Sequence, residues 1–199
     1  MPTATIQSNS QIGGLSIAGT VSRSGDGQLG FEIALPAGES FYMGTRTDDN
    51  TGVFTLAGHS LSNGDVVDVF WSGGMRYGMT AIVSGDDVTL DGGTGDVLPV
   101  QGTNCVLAEQ VEVNADFDGD DVQAIVVGCD QRASLDFQDS GDASLQHVEL
   151  ETANEPWSWF ADQGVANPLT GNATDAIHCS NGSTTAATLK IGVVYDSTP

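Results

Sequence analysis

The chain has 199 residues, 39% of them hydrophobic, and its 27 acidic side chains stand against 5 basic ones for a net charge of −22. A chain of this length and composition buries a real core, which excludes disorder throughout. Its only basic residues, Arg23, Arg46, Arg76, Arg132 and Lys190, cannot neutralise a run of phosphates or hold an anionic leaflet, so neither nucleic acid nor membrane is expected among its partners.

The chain opens with MPTATIQSNSQIGG, which lacks the basic and apolar regions of an export signal, so synthesis in a host cytoplasm without export by the usual signal route is expected. Residues 1–14 read as an extended polar arm that either stays loose or orders against a neighbouring subunit. Beyond the arm, 26 glycines and the turn pairs Asn63-Gly64, Gly73-Gly74, Gly92-Gly93 and Asn181-Gly182 punctuate short stretches rich in Val, Ile, Thr and aromatics. This pattern predicts an all-β protein of antiparallel β-sandwich or β-barrel subdomains with little or no helix. Strands are expected over Gly52–Leu56, Asp65–Trp71, Tyr77–Val83 and Val88–Leu90, pairing sequentially. The Gly-rich stretch 91–104 is the expected boundary, dividing an N-terminal β domain, 15–103, from a C-terminal β-sandwich domain, 104–199.

In the second half, Cys105–Val113 and Val122–Cys129 alternate like strands around Asn114-Ala-Asp-Phe-Asp-Gly-Asp-Asp121, which reads as the tip of an acidic hairpin. Ala133–Gln138 and Ser144–Leu150 read as strands joined by the turn 139–142. Glu155–Ala161 is expected to form one helical turn, since Pro suits a helix start. In Thr188–Tyr195 one face collects Leu189, Ile191, Val193 and Tyr195, the mark of a strand with one face on a core.

The acidic tip places side-chain oxygens at Asn114, Asp116, Asp118 and Asp120, with Gly119 for the sharp turn, which is how a calcium loop begins. Ile125 then stands where an EF-hand needs its bidentate Glu, and the flanks have strand periodicity. The expectation is a solvated tip first, and a weak Ca2+ site only if neighbouring oxygens complete it. No other cofactor is expected.

Cys105 and Cys129 lie symmetrically about Phe117, so a regular hairpin would set them opposite one another as a candidate disulfide. Cys179 then reads as a buried small hydrophobe. His59, His147 and His178 are scattered, no Gly-x-Ser-x-Gly elbow accompanies them, and Asp91–Asp96 lacks the lysine of a phosphate loop, so no catalytic residues are expected. Trp157, Trp159 and Phe160 form the strongest apolar cluster, a candidate for core or subunit-contact packing ahead of a sugar-stacking platform.

The stretch Ala57-Gly-His-Ser-Leu-Ser-Asn-Gly-Asp-Val-Val-Asp-Val-Phe-Trp71, continuing to Thr80, resembles small β-domains of tailed-bacteriophage structural proteins. There a GH-x-L-x-x-GD-x-V connection enters a strand and a second strand returns toward a Gly-rich turn, here Val83–Gly93. The likeness rests on turn chemistry and spans about a fifth of the chain. It implies a non-enzymatic virion protein, a capsid decoration or cement subunit or another head-surface subunit, which contacts copies of itself and other virion structural proteins. Two alternatives stand beside it: a tail or fibre component, and a glycan-binding β-sandwich module steadied by calcium. The glycan module requires exposed Trp157 and Trp159 and a monomer. The structural subunit requires them buried in the core or between subunits.

Overall fold

The computed structural model describes residues 3–12, 15–24, 27–92, 97–115, 122–138, 144–161, 164–169 and 175–196. Among the described residues all regular structure is β, and every strand pair is antiparallel. Strands β1 (Thr3–Ile12) and β2 (Leu15–Ser24) pair with each other alone, as a two-stranded ribbon. Of the arm expected over residues 1–14, Thr3–Ile12 is one strand of this ribbon, and residues 1, 2, 13 and 14 lie outside the described residues.

Strands β4 (Glu39–Arg46), β5 (Thr51–Thr55), β6 (Val66–Trp71), β7 (Gly74–Ser84), β8 (Asp87–Asp91) and β9 (Asn104–Glu109) close a barrel in the order β4-β5-β8-β7-β6-β9. Closure comes from β4, which pairs on one side with β5 (Tyr42↔Thr55) and on the other with β9 (Phe41↔Cys105). Six strands enclose a space that side chains fill, and here Phe41, Met43, Phe54, Val67, Val69, Met79, Leu90 and Leu107 fill it. Strands β6, β7 and β8 pair in sequence as expected, whereas β5 pairs with β8 instead of β6. The tight turns follow local chemistry. Ser72-Gly73 joins β6 to β7 with Gly73 at φ 97°, which a side chain would strain. Between β4 and β5 the Asp48 carboxylate accepts the Asn50 and Thr51 N–H groups at 2.8 and 2.7 Å, and these bonds hold its pKa below the ordinary value.

The remaining strands build a sandwich. Strands β10 (Val111–Ala115), β15 (Asp175–Asn181), β12 (Ala133–Gln138) and β13 (Ser144–Leu150) form one sheet in that order. Strands β14 (Pro156–Phe160), β11 (Val122–Cys129), β16 (Ala187–Tyr195) and β3 (Gly27–Leu35) form the other. Alternate residues of both, among them Ile125, Val127, Leu135, Phe137, Ile177, Leu189 and Ile191, share one core. As the alternation of β16 requires, Leu189, Ile191 and Val193 face it while Lys190 lies exposed.

Several expectations are corrected. The run 105–113 is not one strand: it breaks at Gln110, with β9 in the barrel and β10 in the sandwich. Strand β10 pairs with β15 and β11 with β14 and β16, so the strands on either side of NADFDGDD belong to different sheets and do not pair with each other, while residues 116–121 lie outside the described residues. The cause is that both flanks carry apolar residues every second place, and alternation is blind to partner. Residues 39–109 form a barrel inserted between β3 and β10, and the Gly-rich stretch 91–104 connects two barrel strands. Strand β3 reaches past the barrel to pair with β16, which ties residues before 103 into the C-terminal sheets. Glu155–Ala161 holds a strand instead of a helical turn, because Trp157 and Trp159 at alternate places both meet the core, and Pro is tolerated where a strand begins.

Cys105 is enclosed in the barrel and Cys129 and Cys179 in the sandwich, and all three are buried free thiols, so the Cys105–Cys129 bond does not form. Burial pushes the Cys105 pKa up to about 11 and raises those of Cys129 and Cys179 as well. An aromatic disulfide reagent at pH 8 is expected to leave the native protein unlabelled and to titrate three thiols in denaturant. A single thiol in denaturant would mean a disulfide after all.

Candidate functional site

Two places carry more than core packing: the polar joint between barrel and sandwich, and the outer face of the sandwich with its ribbon. The joint begins with Asp68, the one charged residue in the run Val66-Val-Asp-Val-Phe-Trp71. The β6–β7 register slips between Val67 and Val69, a β-bulge that turns Asp68 out of the barrel wall toward β12 and β15. It is fully buried there. Its Oδ1 accepts Gly78 N–H at 2.8 Å and Gln110 Nε2–H at 2.7 Å, and Ser180 Oγ lies 2.5 Å from Oδ2. The Ser134 hydroxyl also bonds it. Burial dominates these bonds and raises the Asp68 pKa.

Around this centre, Ser134 Oγ and His147 Nε2 are 2.9 Å apart, and the His147 ring stacks on Tyr77 of the barrel at 3.9 Å. Arg132 lies beside it. Its Nη1 and Nη2 donate to the Trp71 and Gly74 carbonyls at 2.9 and 3.1 Å, its Nε donates to Glu149 at 3.0 Å, and its guanidinium lies over Phe70. Gly182 fits the same surface only because it has no side chain, since a Cβ would stand 2.7 Å from the Phe70 ring. Ser, His and Asp do meet here, but as a joint: Ser134 lies between His147 and Asp68, and Ser134 and Ser180 are each 1% exposed. A serine nucleophile needs His between it and the carboxylate, and room for a substrate at Oγ.

Of the residues singled out in the sequence, Trp159 and Phe160 are buried within the chain, and Trp159 Nε1 donates to the Val165 carbonyl at 3.2 Å. Half-buried Trp157 packs against Phe137 in the sandwich core. These rings are committed to packing within one chain, with Trp157 and Trp159 on the inner face of β14 and Phe160 on the outer. Asn114 sits on β10 opposite Ala176, while Asp116, Asp118 and Asp120 lie outside the described residues. Among the described residues no three His, Cys, Asp or Glu side chains are grouped to hold a metal ion. His59 packs near Phe41 in the barrel, away from the other two, whereas His147 on β13 and His178 on β15 both stand opposite Asp136 of β12, one on each side of it. Asn181 of the Asn-Gly pair is buried, donating to the Pro36 and Thr185 carbonyls, and the turn expected there is closed by the Ser183 N–H bond to its Oδ1.

The outer face of the sheet β14-β11-β16-β3 is ordered by its register into rows. Phe160, Ala124, Val194 and Gln28 make one, Ser158, Val126, Gly192 and Gly30 the next, and Pro156, Gly128, Lys190 and Glu32 the third. In the first row Ala124, Phe160 and Val194 form a small buried cluster of their own, and β2 lies against the strands β11 and β16 that carry two of them. Among the described residues, a Cβ at Gly30 or Gly128 would meet nothing within 4 Å and one at Gly192 only the Val126 carbonyl oxygen at 4.0 Å, and a cleft of about 550 Å³ runs over them beside Val126 and Pro156.

Sequence reasoning missed Asp68, Ser134, Ser180 and Arg132, although an Asp inside an apolar strand was a legible sign. It also missed the rows, which exist only once register is known. Comparison of the chain with protein-family models, with curated proteins and with solved structures yields no match.

Proposed function

We propose that this chain is a non-enzymatic structural subunit of a phage-like virion, placed at the head surface as a decoration or cement protein. Contacts with its own copies and with other shell proteins hold it there. The observation that carries the reading is the ribbon β1–β2, two ten-residue strands that, among the described residues, pair only with each other. A lone two-stranded hairpin is marginal in water, so such an element fits a subunit that completes itself against a neighbour. The acidic body adds to this, because an exterior subunit with a net charge of −22 keeps clear of packaged DNA. The buried state of Ser134, Ser180 and Asp68 fits a protein whose polar residues serve its own joint. The packing of Trp157 and Trp159 into the core speaks against the glycan platform.

The test is fractionation of particles. With an antibody against the purified chain, the protein is expected to sediment with DNA-filled particles through a density gradient and to stay after a salt wash. Recovery only in the soluble fraction would sink the reading. Immunogold on tails or fibres would move it there.

A further inference from the structure

We propose that His147 is an acid-operated clasp of the joint: on mild acidification its ring takes up a proton, and the charged ring holds barrel to sandwich more tightly than the neutral one. The inference goes beyond the structural-subunit reading and does not depend on it.

Register supplies the first argument. On the face of the sheet β10-β15-β12-β13 turned toward the barrel, Ser180, Ser134 and Glu149 make one cross-strand row. Glu112, His178, Asp136 and His147 make the next. The barrel seats on the first row, where Asp68 bonds Ser180 and Ser134. His147 stands at the edge of that seat, with Asp136 directly opposite it on β12. Both described side-chain bonds of Asp136 are accepted ones, from Gln138 Nε2–H at 2.7 Å and from the Ser144 hydroxyl, which is how an ionised carboxylate is held. Directly opposed residues lie about 5 Å apart at Cβ, so a positive ring at 147 meets an acidic neighbour across the strands.

Stacking supplies the second. The bulge that turns Asp68 out of β6 lies opposite Tyr77 and Gly78, and Gly78 takes φ 67°, a backbone that favours glycine. Tyr77 beside it lays its ring on His147, with centroids 3.9 Å apart and planes within 8°. The face of an aromatic ring is negative, so it holds a cation more strongly than a neutral ring. Tyr77 belongs to barrel strand β7 and His147 to sandwich strand β13, so the attraction gained with the proton acts across the joint.

Bonding supplies the third. The Ser134 hydroxyl lies 2.9 Å from His147 Nε2, and it can take the Nε2–H of the charged ring while its own proton goes to Asp68. Proton uptake therefore leaves the bonds of Ser134 in place. Among the described residues, the other charged or titratable groups on this face are arranged to permit it. Glu149, two places along β13, is held by Arg132, while His178 stands on the far side of Asp136 with Glu112 opposite it. Both stacked rings are half-buried, which keeps the imidazole within reach of solvent protons. A proton held more strongly by the folded chain than by the unfolded one adds stability below the ordinary imidazole value of about 6.5, and that stability is lost as pH rises through the folded value.

The experiment is proton–carbon NMR of the histidine-labelled full chain from pH 5 to 8.5, with the His147 signal assigned by its loss in His147→Gln. The wild-type signal is expected to titrate above about 6.5. Tyr77→Phe keeps the ring and is expected to keep the midpoint, whereas Tyr77→Leu is expected to lower it by about half a pH unit. Urea unfolding gives a second reading. The Tyr77→Leu deficit, taken as a ratio of unfolding constants, is expected to be about threefold larger at pH 5 than at pH 8. A wild-type His147 that titrates at or below about 6.5 overturns the proposal, and so does a midpoint that Tyr77→Leu leaves in place. A deficit equal at both pH values would sever the proton from the joint and overturn the clasp as well.

Discussion

Replacing Asp68 by Ala is expected to lower stability by about 3–5 kcal/mol, the cost of leaving several buried hydrogen-bond donors without an acceptor. Gly78 N–H and Gln110 Nε2–H can only donate, and both are aimed at Oδ1. Ala offers them nothing, and water has no room at a site with no exposure. Asp68→Asn should behave differently. Its amide oxygen still accepts both donors, and its amide nitrogen takes the place of Oδ2 and donates to Ser180, whose hydroxyl can accept as well as donate. The Asp68→Asn protein is therefore expected to lie within about 1 kcal/mol of the wild type, since the hydrogen-bond count is kept.

The pH dependence separates Asp68→Asn from the wild type further. Because burial raises the Asp68 pKa, the folded protein keeps a proton that the unfolded chain gives up above its ordinary carboxylate pKa. Stability from this group is present below the unfolded value and is lost as pH rises from there through the folded pKa. An amide in place of the carboxyl cannot titrate, so the stability of Asp68→Asn relative to wild type should rise with pH across that window and then level off. Urea unfolding from pH 4 to 8 measures this. A constant difference between the two proteins would mean that Asp68 is charged throughout.

Arg132→Ala is expected to cost about 2–4 kcal/mol, chiefly because it strands a half-buried carboxylate. The guanidinium meets Glu149 on one side and two barrel carbonyls, Trp71 and Gly74, on the other, with the Phe70 ring beneath it. Glu149 belongs to β13 of the sandwich, so this one side chain joins the two bodies through three kinds of contact. Lys at this position keeps a charge for Glu149 but lacks the planar fork that reaches both carbonyls, and should recover less than half of the loss. Glu149→Gln should recover much of the Arg132→Ala deficit in a double-mutant cycle, because it removes the stranded charge. Thermal melts of the four proteins give the cycle directly. Simple additivity would show that Arg132 acts on the barrel alone.

The all-β class was legible in the chain itself: turn chemistry and period-two alternation located strands such as β6, β8, β12, β13 and β16 close to their observed bounds. The absence of a basic patch and the lack of acidic residues in the first two dozen positions are likewise properties of composition. Alternation reports that a strand has a buried face and says nothing about which strand lies beside it. Hence β9 and β10 read as one strand, the chain from Asn114 to Asp121 read as a hairpin tip, and two cysteines in separate cores read as opposed. Helix start and strand start share a tolerance for Pro, which is why Glu155–Ala161 read as a helical turn although Trp157 and Trp159 meet the core from a strand. Asp68, Ser134 and Ser180 come from β6, β12 and β15, and only a bulge in one strand and the seating of the barrel on a sheet bring them together. The glycine rows depend in the same way on three registers at once. Local sequence determines what is favourable within a few residues. Long-range pairing is decided by the closing of the barrel and the stacking of two sheets, whose energies belong to the whole chain.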